Sequence, residues 1–149
     1  MRKLILIILL CFSIVSALAP ESAQSDPSGQ KIVTAAQVNG TWRYKANQFK
    51  VWALGQQKLK VEFLGTYEYK TPAGWMANTG SGSGIAVIEG DTALFRPEDA
   101  DEECKITMRF TGGKLVVEQE GGCGFGHNVI ASGVYRKVSS RKPKFGEGR

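Results

Sequence analysis

From residue 38 onward apolar and polar residues alternate, and the period is two. Val38-Asn39-Gly40-Thr41-Trp42-Arg43-Tyr44 sets Trp42 and Tyr44 on one face and Thr41 and Arg43 on the other. Residues 48–54 predict a second strand with apolar side chains on both faces, Phe49 and Val51 against Trp52 and Leu54. Lys58-Leu59-Lys60-Val61-Glu62-Phe63 alternates cleanly, and its parity continues through Gly65 to Tyr67 and Tyr69. Such alternation marks a strand with one wet and one dry face. Residues 71–83, with Pro72, Gly74 and the start of Gly80-Ser81-Gly82-Ser83-Gly84, are expected to form a loop. Strands over 85–89 and 92–96 follow, joined by a tight turn at Gly90-Asp91. An acidic loop over 97–103 leads to strands over 104–111 and 114–120, whose Gly112-Gly113 linker is a two-residue hairpin signal. The last strand is expected over 128–138. No segment carries a sustained helical period with caps, and residues 31–37 allow at most one short turn.

Eight strands at roughly even spacing, each joined to the next by a short connection, predict an all-β fold. The expected architecture is an antiparallel up-and-down barrel, which leaves no sheet edge open. A two-sheet sandwich is the alternative. An eight-stranded barrel is just wide enough for packed side chains or one small ligand.

The region before the alternation has a different character. Arg2 and Lys3 precede an apolar run over residues 4–15, and small residues follow at Ser16, Ala17 and Ala19. This is the three-part pattern of a secretory signal peptide, with cleavage after Ala19 or Ala17. The run is short for a membrane span, which needs about 20 apolar residues; retention as an anchor is the alternative. Residues 1–19 are thus assigned to a signal peptide, 20–37 to a polar linker, 38–138 to the barrel and 139–149 to a basic, disordered tail. Removing the leader leaves 130 residues, enough for one core, and nothing else in them is apolar enough to cross a membrane. The expected location is the periplasm or the exterior.

The net charge of +5 is unevenly distributed along the chain. The leader holds two basic residues, and residues 136–149 hold six against one acid. Residues 20–135 carry 11 basic and 13 acidic side chains. A slightly acidic body with a basic end excludes a nucleic-acid-binding domain, which would spread basic residues over a folded face.

The exported form keeps two thiols, Cys104 and Cys123. With Gly112-Gly113 as the turn, Phe110 faces Leu115, Met108 faces Val117, Ile106 faces Gln119 and Cys104 faces Gly121. Cys123 shares that parity one pair further on, within disulfide reach if the strand end curls. In an oxidising compartment the pair reads as a disulfide, and their 19-residue separation would contribute about 3 kcal/mol. His127 is the only histidine, so a zinc or haem site has too few ligands, and no metal or cofactor is expected.

The disulfide would pin the root of a glycine-rich loop over residues 121–128. Phe125 stands between Gly124 and Gly126 and has two readings: a plug folded into one barrel mouth, or the tip of a rigid loop that fills a groove on a partner. Gly124, Phe125, Gly126, His127 and Asn128 form the candidate partner-binding loop. His127 lacks a nucleophile or an orienting carboxylate nearby in sequence, which favours a hydrogen-bonded turn residue over a catalytic base. The Gly80–Gly84 run lacks the Lys-Ser/Thr and the helix of a phosphate loop. The acidic run after Pro97 lacks the glycine-turned spacing of a calcium loop. Trp42, Tyr44, Phe63, Tyr67, Tyr69 and Tyr135 would either line a ligand cavity or fill the barrel.

Gly40-Thr41-Trp42 resembles the first strand of calycin-type barrels such as lipocalins and avidins, in which a Gly-x-Trp places the Trp across one barrel end. Leu64-Gly65-Thr66-Tyr67 resembles an avidin strand, without a biotin-site constellation. The stretch from Cys104-x-Ile106 through Cys123-Gly124-Phe125-Gly126 to Gly133-x-Tyr135 resembles a group of small exported bacterial proteins, some associated with lysozyme-inhibitor-like domains. The resemblance implies the domain type and supplies no activity. The expected function is non-enzymatic binding of a protein partner, in an inhibitor-like manner, through the loop over 121–128. Carriage of a small apolar ligand inside the barrel is the alternative.

Overall fold

A computed structural model describes residues 32–146. The expected signal peptide and most of the linker lie outside the described residues. One helical turn, α1 (Ala35–Val38), precedes eight strands: β1 (Gly40–Tyr44), β2 (Asn47–Gly55), β3 (Lys58–Thr71), β4 (Gly74–Glu89), β5 (Thr92–Phe95), β6 (Lys105–Thr111), β7 (Lys114–Glu120) and β8 (Gly133–Ser139). Each strand pairs antiparallel with the next, and β8 returns to β1, so the barrel is closed in sequential up-and-down order. No described helix is long and apolar enough to cross a membrane.

The period of two decides what fills the barrel. Phe49 and Val51 of β2, Leu59, Val61 and Phe63 of β3, Ile106, Met108 and Phe110 of β6, and Leu115 and Val117 of β7 all point inward and are buried. Rings dominate the packing: Phe49 lies 4.9 Å from Phe63, 5.0 Å from Tyr135 and 6.5 Å from Phe95, centroid to centroid. Tilted and edge-on pairs at such distances suit the ring quadrupoles. Trp42 closes one end, with its indole N–H donating to the Val38 carbonyl at 3.0 Å and its ring edge-on to Phe110 at 5.7 Å. The turn of α1 lies across this end, and Lys137 donates to the carbonyls of Ala36 and Gln37 at 2.8 Å each while stacking over Trp42.

Three expectations are corrected. Residues 71–83 are not a loop: β3 and β4 form one long hairpin that turns at Pro72-Ala73, with Thr71 opposite Gly74 and continuous pairing back to Lys58 opposite Val87. The glycines and serines that suggested a loop sit in β4, with Gly80, Gly82 and Gly84 on its inner face and Ser81 and Ser83 on its outer face. The last strand begins at Gly133 and not at residue 128, because residues 128–132 bond to side chains in place of a neighbouring strand. Residues 140–146, expected to be disordered, run along the outside of β2 and β3. There the Lys144 carbonyl accepts from Lys50 at 2.7 Å, and Lys142 and Lys60 stack on Trp52 and Phe145.

Candidate functional site

The barrel end opposite Trp42 gathers the β1–β2 turn, the far half of the β3–β4 hairpin, the β5–β6 loop and the long β7–β8 connection. Its first fastening is the disulfide between Cys104 and Cys123, with Cα atoms 4.8 Å apart and both residues buried. The register that predicted it is the one observed: Phe110 faces Leu115, Met108 faces Val117 and Ile106 faces Gln119. Gly121 takes a positive φ of 72°, and a Cβ there would lie 2.2 Å from the Glu103 carbonyl oxygen, so the chain can leave β7 this way only with glycine.

From Cys123 the chain folds over the barrel mouth, and Phe125 drops into it. Its ring is 3 % exposed and lies 4.6 Å from that of Phe63. The opposing wall is glycine. A Cβ at Gly80 would lie 1.6 Å from the Phe125 carbonyl oxygen, and one at Gly82 would lie 2.7 Å from its ring. Of the two readings of Phe125, the structure adopts the plug. The rest of the candidate loop, Gly124, Gly126, His127 and Asn128, is exposed around the plug.

Side chains hold this connection where regular strand bonds do not. Asn78 donates to the His127 carbonyl at 2.9 Å. Asn47 donates to the Ile130 carbonyl at 2.8 Å and accepts from the Thr66 amide at 3.1 Å. Gln119 accepts from the Ala131 amide at 2.8 Å, and the Tyr135 hydroxyl donates to the Ala131 carbonyl at 2.7 Å. Burial pushes the Tyr135 hydroxyl well above the usual phenol range. His127 takes part in this fastening through its backbone carbonyl. Among the described residues no cluster of three or more His, Cys, Asp or Glu is placed to hold a metal ion.

The six aromatic residues read as cavity lining separate into three environments. Trp42, Phe63 and Tyr135 pack into the filled core. Tyr44 is half-buried at the mouth, 5.6 Å from Tyr135, with Lys45 over its ring. Tyr67 and Tyr69 keep the inward parity, but the barrel beneath them has ended. β2 accompanies β3 only as far as Leu64, so residues 66–79 project as a two-stranded ribbon. Tyr67 and Tyr69 stack on one face of it, 6.0 Å apart with ring planes 23° from parallel. Met76, opposite Tyr69, shares that face and is about half exposed, while Trp75 stands on the other face at 73 % exposure. At the ribbon's root lies an open groove of about 540 Å³, lined by Tyr44, Asn47, Tyr67, Glu68, Asn128 and Ile130 among others. Sequence reasoning missed Trp75 and Met76. The signal was present in unbroken hairpin parity from Tyr67 to Asn78, but the glycines of β4 masked it.

Fold and site together define a closed, eight-stranded, disulfide-fastened antiparallel barrel with a filled interior and one projecting ribbon. No family model, no curated protein and no solved structure matches this chain.

Proposed function

We propose that this protein is an exported, non-enzymatic binding module that engages a protein partner with the ribbon end of its barrel. The observation that carries the proposal is the exposure of Trp75 at 73 % and Met76 at 52 % on a ribbon whose base is firmly held. Large apolar side chains left in water are costly to solubility, and they concentrate where partners bind. Tryptophan and tyrosine on a rigid support lose little freedom on docking. The groove at the ribbon's root, with Asn128 on its rim, continues the Tyr67 and Met76 face of the ribbon. Relative to the expectation from sequence, the contact surface moves from Phe125 to the ribbon, and the loop over 121–128 becomes its fastening and rim. A carrier of apolar ligands would need the space that Phe49, Phe63, Phe95 and Tyr135 occupy. The leader pattern and the Cys104–Cys123 disulfide support export to the periplasm or beyond.

A photo-crosslinking residue at position 75 of the exported chain tests the proposal. Its adduct would be identified, and the purified partner titrated against wild type and Trp75→Ala. A central tryptophan contributes about 2 kcal/mol or more at an interface, so affinity should fall at least roughly 30-fold. Absence of an adduct, or equal affinities, would overturn the assignment.

A further inference from the structure

A second surface lies near the α1 end, on the outer wall of β2 to β5. Leu54, Ile85, Val87 and Leu94 are each about half exposed there. Val87 faces both Lys58 of β3 and Leu94 of β5, and Ile85 faces Lys60, so apolar residues and lysines interleave on one continuous face. Lys142 adds a further charge beside it, over Trp52. Glu62, on the same side of β3, is buried and paired with Lys50 at 2.8 Å, and the other nearby acids are Glu89, the turn residue Asp91 and Asp99, which lines a groove with Lys60. Glu98, Asp101, Glu102 and Glu103 belong to the connection between β5 and β6.

We infer that this wall binds the surface of an anionic lipid bilayer. Aliphatic side chains ringed by lysines match a headgroup boundary: the aliphatics enter it, and the lysine stems lie along it with their ammonium groups on lipid phosphates. Ile32, exposed where the Val33 amide donates to the Gly90 carbonyl at 3.3 Å, adds an aliphatic side chain at this end. Docked by this wall, the barrel holds its ribbon end away from the bilayer.

The test is vesicle co-sedimentation of residues 20–149, which lack the apolar run and retain the whole barrel. Vesicles of equal parts phosphatidylglycerol and phosphatidylcholine should carry the protein down, and phosphatidylcholine alone should not. Each lysine near an anionic surface contributes roughly fivefold, so Lys58→Gln with Lys60→Gln should weaken binding by about 25-fold. Val87→Asp with Leu94→Asp should abolish it. Lys105→Gln at the far end and Trp75→Ala on the ribbon should leave it unchanged, which separates this inference from the ribbon reading. Unaltered melting curves would show that the variants fold. Equal sedimentation with neutral vesicles, no sedimentation with either, or wall variants that bind like wild type would each overturn the proposal. Self-association abolished by the wall variants, without vesicle binding, would overturn it in favour of a second copy.

Discussion

The side chains that Gly80 and Gly82 lack are the space that Phe125 fills. At Gly82 a methyl group would meet the Phe125 ring at 2.7 Å and Pro97 at 2.9 Å, and both can shift a little. Gly82→Ala should therefore cost about 1–3 kcal/mol, as overpacking does. At Gly80 the obstacle is the Phe125 carbonyl itself, so backbone must move and the loss in urea unfolding should be larger. Phe125→Ala should cost about 3–5 kcal/mol, and in the Gly82→Ala background its further cost should shrink, because the two share one space. A neutral Gly80→Ala would show that the loop does not lie where described. Tyr135 offers a test by pH. Its folded pKa is raised by burial, so its contribution is whole below the ordinary value of about 10 and is lost as pH climbs beyond it. Between about pH 8 and pH 11 wild type should lose more stability than Tyr135→Phe, which has no phenol to ionise.

Among the elements, the β6–β7 hairpin and the connection after it form one unit, fastened by the disulfide and by Gln119. Replacing both Cys104 and Cys123 by alanine should lower stability by about 3 kcal/mol for a 19-residue separation. Amide exchange should rise first in residues 121–132, while β6 and β7 stay protected; uniform acceleration would argue against a local fastening. This hairpin was fully legible in the sequence, because Gly112-Gly113 set a register and alternating apolar residues on both sides agreed with it. The β3–β4 hairpin was legible in only one strand. β3 alternates visibly, whereas the inner face of β4 opposite the plug is glycine, which carries no hydrophobic signal and imitates a loop. The plug, the ribbon and Trp75 all follow from that one strand. The start of β8 was misjudged for a related reason: residues 128–132 keep buried Val129 and Ala131 at the spacing of a strand, yet their backbone bonds go to Asn47, Gln119 and Tyr135. Side-chain partners of this kind leave no periodic trace.

At the scale of the whole molecule, the chain closes its barrel and then straps it. Residues 140–146 leave β8 at the α1 end and cross the outside of β2 and β3, where the Gly146 amide donates to Glu62 and the Lys144 carbonyl accepts from Lys50. The strap explains how Lys50 and Glu62, on the outer face of two adjacent strands, become buried at 6 % and 5 % exposure. A covered ion pair of this kind is sensitive to the loss of one member, since the survivor keeps its desolvation cost without its partner. Lys50→Met should therefore cost about 3–5 kcal/mol, while Lys50→Met combined with Glu62→Leu should recover most of that loss. Ending the chain at Ser140 separates covering from pairing. Water then reaches both charges, and the same Lys50→Met change should cost no more than about 1 kcal/mol, as for an exposed pair. The truncated barrel should still unfold in one step, because every strand from β1 to β8 lies before the cut. If Lys50→Met is equally costly with and without the strap, the pair is held by β2 and β3 alone and the strap is only a passenger on the wall.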